Sequence, residues 1–218
     1  MARYGIIVDL NRCTGCMTCV LACKEENGTG PGIWWNRILE IENETLDHIT
    51  YVRYACMHCD NPPCVDACPE GAISKRPDGI VLIDQEKCKA HRECAKACPY
   101  GVIEINPDHD YFPGKKGENK GTAPAHQNHR PGKASKCTLC AHRIDAGKEP
   151  ACVAGCPSRA MIFGDLDDPA SPIREKLWKS EALLPEEHAH PTTFYVIPKN
   201  FTKPLEERVK RNPKMMRG

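Results

Sequence analysis

Fifteen cysteines fall into runs that share one spacing. The first run holds Cys13, Cys16, Cys19 and Cys23, and the second Cys56, Cys59, Cys64 and Cys68. The fourth holds Cys137, Cys140, Cys152 and Cys156. The third, "CKAHRECAKACP", offers Cys88, Cys94 and Cys98, with His91 where the other runs carry their second cysteine. Each reads Cys-x2-(Cys or His)-xn-Cys-x3-Cys, with n of 2, 4, 2 and 11. The outer spacings hold while the middle gap varies. A chelation constraint has this effect, because only the donor-bearing ends must keep register.

Other uses of cysteine fit poorly. Disulfide frameworks suit short secreted chains with an even count. This chain has 218 residues and an odd count, and its opening "MARYGIIVDLN" lacks the apolar core of a signal peptide. The expectation is therefore no export address of its own, with export on a partner's signal left open. Zinc sites use cysteines in fours, usually as two separated pairs, which is a different grammar. A formal net charge of +1, with basic residues spread among acidic ones, implies no nucleic-acid partner. No apolar run approaches the roughly 20 residues of a membrane span.

The flanks repeat as well. "YGIIVDL" precedes the first run, while "EGAISKRPDGIVLID", "YGVIEIN" and "SRAMIFGDL" follow the others. These read as short strands, with "RPDG" (76–79) as a hairpin turn. "RILEIE" (37–42) and "ITYVRYA" (49–55) read as two more. The x3 segments suit one-turn helices that a proline or glycine soon stops. Residues 106–135 form a long Pro/Gly-rich loop. Beyond Asp167, "SPIREKLWKSEALLPEE" suggests a short helix and "TTFYVIP" a strand, before a charged tail. The fold class expected is α+β.

A [4Fe–4S] cube needs one soft ligand per iron. In two-cluster ferredoxins the fourth cysteine of each run ligates the other cluster, so runs work in pairs. Four runs then give four clusters and sixteen slots, which the fifteen cysteines and His91 fill with none left over. No glycine fingerprint for a nucleotide, no nucleophile with a base and no pterin-sized domain is present. A substrate site of the chain's own is therefore not expected. The reading is a non-catalytic electron carrier.

The runs "VDLNRCTGCMTCVLACKEEN", "CMHCDNPPCVDACPEGAI", "CPYGVIEIN" and "KCTLCAHRIDAGKEPACVAGCPSRAMIFGDLDDP" make the resemblance specific. Over roughly residues 4–168 the chain resembles the four-cluster electron-transfer subunit of the dimethyl sulfoxide reductase superfamily of molybdenum or tungsten bis-pterin enzymes. It is most similar to the iron–sulfur subunits of polysulfide, thiosulfate and arsenate reductases. The resemblance implies four ligand sets. They are Cys13, Cys16, Cys19 and Cys156; Cys137, Cys140, Cys152 and Cys23; Cys56, Cys59, Cys64 and Cys98; and Cys88, His91, Cys94 and Cys68. It implies two ferredoxin-like modules, one inserted in the other. Residues 1–45 with 134–166 make the first and 46–105 the second. A loop (106–133) joins them to the fourth run, and a partner-contacting extension (167–218) follows. It also implies a large pterin catalytic subunit, a membrane quinone-reactive subunit and a peripheral membrane complex. The periplasmic side is expected through partner-borne export, with the cytoplasmic side left open. A relay for a hydrogenase or formate dehydrogenase, a free polyferredoxin and a zinc-stabilised interaction protein are the alternatives.

His91 admits three readings: a ligand of a [4Fe–4S] cluster, a non-ligand beside a [3Fe–4S] cluster, or a neighbour of an iron that takes water. The first two raise the cluster's potential, the first by removing a negative charge. Lys87, Lys89, Arg92 and Lys96 would add to that, or would form a solvated face balanced by Glu86 and Glu93. His58 and His142 are expected to make hydrogen bonds or packing contacts beside clusters.

Overall fold

A computed structural model describes residues 1–30, 32–43, 48–108, 130–183, 188–199 and 201. The chain begins with β1 (Tyr4–Asp9), α1 (Thr18–Asn27), β2 (Asn36–Asn43) and β3 (His48–Ala55). Next come α2 (Pro63–Asp66), β4 (Ile73–Lys75), β5 (Val81–Ile83), α3 (Glu93–Ala97) and β6 (Glu104–Ile105). They are followed by β7 (Ala134–Ser135), α4 (Ala141–Asp145), α5 (Ala151–Ala154) and β8 (Met161–Asp165). The last described elements are α6 (Arg174–Leu177), β9 (Glu181–Ala182) and β10 (Thr193–Val196). This is the expected α+β mixture of short pieces.

The largest sheet described has the order β8-β1-β10-β9. β1, before the first cysteine run, pairs antiparallel with β8, after the fourth, and parallel with β10. Strand alternation sends Ile6 and Val8 into the main core and Ile7 into a smaller cluster with Leu166, Ile173 and Val196. β2 and β3 pair in register from Asn36↔Ala55. β4 and β5 meet across "RPDG", where the Gly79 N–H donates to the Arg76 carbonyl at 3.0 Å and Asp78 Oδ1 accepts the Ile80 N–H at 3.2 Å.

The x3 segments of the second, third and fourth runs form the short helices α2, α3 and α5. The first differs: α1 runs ten residues to Gly28 (φ 53°). The expectation of one turn fails there because Cys23 is followed by Lys24, not proline, so nothing breaks the helix. The wide gap of the fourth run also holds α4, which the spacing alone did not suggest.

Of the loop 106–133, residues 109–129 lie outside the described residues, but its ends meet. The Asn106 N–H donates to the Lys133 carbonyl and the Gly132 N–H to the Pro107 carbonyl, both at 2.9 Å. The charged tail (202–218) also lies outside the described residues. "TTFYVIP" supplies β10 between β1 and β9. The segment leading into it ties down the second cysteine run. The Asp60 and Asn61 N–H groups donate to the His190 and Ala189 carbonyls, and the Thr192 hydroxyl donates to the Met57 and His58 carbonyls.

Lys176 anchors the post-cluster segment to β1 through buried Asp9, 2.7 Å away. Burial raises the Asp9 pKa, but Lys176 and Asn11 outweigh it and hold the carboxyl below its ordinary value. Stability from a carboxylate lowered in this way is present in full above the unfolded carboxylate range and lost as pH falls through the lowered value. Lys176→Met is expected to cost about 1–3 kcal/mol at neutral pH. A thermal melt at fixed scan rate checks this, at about 2–4 °C per kcal/mol.

Candidate metal centres

In every run the residue before the second donor slot has positive φ: Gly15 (69°), His58 (46°), Ala90 (61°) and Leu139 (53°). Such angles are uncommon outside glycine. They turn successive amide groups towards one concave side, a nest for an anion. The Leu139 N–H, for example, donates to Cys137 Sγ at 3.4 Å. The third run shares the backbone turn of the other three, although its slot holds His91.

A second turn repeats after each Cys-Pro. Gly71 (57°), Gly101 (59°) and Arg159 (47°) are left-handed. Their N–H groups donate to the carbonyls of Cys68, Cys98 and Cys156, each at 3.1 Å. One residue further on, the Ala72 and Ala160 N–H groups donate to Cys68 Sγ and Cys156 Sγ, both at 3.3 Å.

The runs meet in pairs. α1 packs on α5, and α2 on α3. One cavity is lined by Cys13, Cys16 and Cys19 with Cys156. A second is lined by Cys56, Cys59 and Cys64 with Cys98. A third is lined by Cys88, His91 and Cys94 with Cys68. Cys23 lies among Cys137, Cys152 and Cys140, close enough for all three to act on it electrostatically. Asn27 Nδ2 spans that set, donating to Cys23 Sγ at 3.7 Å and to Cys140 Sγ at 3.8 Å.

These sulfurs are mostly buried, and all fifteen are free thiols. Burial pushes Cys19, Cys64 and Cys137 up to about 12. They stay protonated until a metal takes the proton's place. Two buried cations stand among them. Arg53 is on β3, and the Lys136 Nζ donates to the Val81 and Cys137 carbonyls. Among the described residues no three His, Cys, Asp or Glu groups converge as a single ion requires. A zinc site draws its donors to roughly 2.0–2.3 Å from one centre. Thiols ranged round a cavity, with buried cations beside them, suit a larger anionic group with one metal per ligand.

Residues 48–114 and 123–166 match the 4Fe-4S dicluster domain family, and residues 4–25 the 4Fe-4S binding domain family. The chain is 38% identical over 224 residues to the arsenate respiratory reductase iron–sulfur subunit of Shewanella sp., covering 89% of this chain and 96% of that one. It is 36% identical over 212 residues to a subunit of the tetrathionate reductase of Salmonella typhimurium (93% and 76% covered). It is 35% identical over 212 residues to a component of the anaerobic dimethyl sulfoxide reductase of Escherichia coli (93% and 86% covered). The chain belongs to this family of reductase iron–sulfur subunits. As a member of the iron–sulfur subunit family it is an electron-transfer protein that carries iron–sulfur clusters. Among the described residues no helix is long and apolar enough to cross a membrane.

Three histidines stand in or beside the cysteine runs. His58 is fully buried, and its Nδ1 accepts the Val81 N–H at 3.1 Å. Burial first, then Lys136 and Arg53, hold it well below its ordinary pKa, so it is neutral. His142 Nε2 lies 2.7 Å from Glu26 on the surface. His91, 47% exposed at its side chain, places Nε2 2.9 Å from Glu70 Oε1. Spacing arguments missed Asn27, Arg53 and Lys136. Asn27 sits one turn beyond Cys23 on α1, a position that only the unexpected length of that helix brings to the sulfurs.

Gly15 shows how tightly the iron–sulfur subunit builds these loops. A Cβ there would stand 2.5 Å from the Tyr51 ring, at a φ that side chains rarely adopt. Gly15→Ala is expected to lower iron content per chain, and Gly15→Ala with Tyr51→Ala to recover part of it. Iron and sulfide analysis of anaerobically purified protein checks both.

Proposed function

We propose that the chain relays single electrons through four iron–sulfur clusters, between a molybdenum or tungsten bis-pterin catalytic subunit and a membrane quinone-linked partner. One observation carries this reading: sixteen donor residues in four groups of four, each with three from one run and one from the paired run. When bound, such clusters supply one-electron redox chemistry at potentials set by ligand type, charge and burial. Cys13, Cys16, Cys19 and Cys156 would hold one. Cys137, Cys140, Cys152 and Cys23 would hold the next, Cys56, Cys59, Cys64 and Cys98 a third, and Cys88, His91, Cys94 and Cys68 the fourth. The helix packing and the β1–β8 pairing support reading residues 1–45 with 134–166 as one ferredoxin-like module and 46–105 as a second inserted in it. Residues 106–133 are then the connecting loop, and 167–218 the segment facing partners. The relatives' names as reductase subunits support a separate catalytic chain. We place the complex on the periplasmic face of a membrane, exported with that chain.

For the third run we read His91 as an iron ligand through Nδ1. Ala90 has the positive φ of the cysteine loops, and His91 lines the cavity with Cys68, Cys88 and Cys94. Nε2 bonds to Glu70, the carboxylate partner that metal-bound histidines usually take on their other nitrogen. Neutral imidazole in place of thiolate raises this cluster's potential. Lys89 and Arg92 line the same cavity, but Glu70 and Glu93 line it too and balance their charge, so the ligand exchange itself carries the shift. Lys96 pairs with Glu93, and Glu86 with Arg130, on the solvated face.

Metal analysis of the native complex tests the partner: molybdenum or tungsten is expected, and nickel would replace this reading with a hydrogenase relay. About sixteen irons per chain are expected, four per cluster. A near-isotropic one-spin signal in air-oxidised protein would instead mean a three-iron cluster and end the ligand role of His91. His91→Cys is expected to lower one midpoint potential, and His91→Ala to produce that three-iron signal.

A further inference from the structure

Arg53 is 1% exposed. The groups that act on it most strongly are Cys152, Cys137, Tyr195 and Cys19. Nε donates to Asn36 Oδ1 at 2.9 Å, and Nη2 is 3.9 Å from Cys152 Sγ. Nη1 is buried with no hydrogen-bond partner among the described residues. Arg53 also lines the cavity of Cys13, Cys16, Cys19 and Cys156. One guanidinium thus touches the donor set around Cys152 and borders the set around Cys19.

The cation is held from both ends. Asn36, which orients the head, is itself fixed by donating from Nδ2 to the Cys19 carbonyl at 2.9 Å. The Tyr195 hydroxyl donates to the Arg53 carbonyl at 2.9 Å, so β10 fixes the backbone. An uncompensated buried charge is strongly destabilising. Burial alone would lower the guanidinium's pKa, but the cysteines around it, Cys152 first, more than offset this. A cluster bound by four thiolates is anionic, and more so after reduction. The planar fork of arginine can address two anions at once, where a lysine is a single point charge.

We propose that Arg53 is the shared counter-cation of two cluster sites, one built on Cys13, Cys16, Cys19 and Cys156 and the other on Cys23, Cys137, Cys140 and Cys152. It raises the reduction potential of both. The proposal rests on the four-cluster reading above. Because one charge serves both sites, the two potentials move together, and electrons pass between neighbours kept in balance. Arg53 does not line the cavities of the Cys56 and Cys88 sites, so its charge acts on them more weakly.

The test is a redox titration, followed by electron paramagnetic resonance, of the full-length chain with its clusters as wild type, Arg53→Met and Arg53→Lys. Arg53→Met is expected to lower two of the four midpoint potentials, each at least tenfold in its equilibrium, about 59 mV for one electron. The other two should move less than half as far. Arg53→Lys should restore more than half of both larger shifts. The proposal is overturned if none or only one potential moves, if all four move equally, or if the lysine variant falls as far as the methionine variant. Should Arg53→Met fail to assemble, wild-type protein grown on ¹⁵N-arginine decides. Pulsed spectra of the reduced protein should show a weakly coupled arginine nitrogen at two clusters, and its absence overturns the proposal. A wild-type chain without four clusters by iron content and spin count would instead refute the four-cluster reading itself.

Discussion

The constraint on which this fold depends is the meeting of cysteines from two runs at one cavity. Cys13 and Cys156 face one cavity although most of the sequence separates them. Closing a loop of that length costs entropy that grows only logarithmically, so a metal-bound group can hold the ends at modest cost. The rest of the architecture follows. Bringing the first and fourth runs together puts α1 on α5 and allows β1 and β8 to pair. With 6% aromatic residues the chain has little bulky apolar material, and cysteines are a large part of the buried core.

The interior is arranged for an anion. Arg53 and Lys136 are buried near thiols, neutral His58 lies beside them, and backbone N–H groups point at Cys68, Cys137 and Cys156. Buried donors of this kind tie metal binding to folding in other small metal proteins.

The ligand grammar was legible because chelation fixes spacing directly. The strand pairs around residues 37–55 and the "RPDG" hairpin were legible through alternation and turn chemistry. Group membership of each sulfur came from resemblance, since spacing alone does not say which run's last cysteine crosses to which neighbour. The length of α1 was missed because the one-turn rule rested on the proline that this run lacks. β10 was expected as a strand, but its place between β1 and β9 depends on long-range pairing that no local pattern carries. Arg53 was hidden for a deeper reason. In "ITYVRYA" the strand pattern marks no place for a buried cation, and on our proposal its charge is met by cluster ligands far away in sequence.

The pairing of runs also bears on how the protein is made. Chain synthesis runs from the N-terminus. The second and third runs lie close in sequence and can meet soon after Cys98 has emerged. The first run is synthesised earliest but reaches its remaining partner, Cys156, almost last. Its cysteines, with Cys16 exposed even in the finished fold, therefore stand apart from their partner longest, and the outer pair closes only once nearly all of the cysteine-bearing sequence has been made.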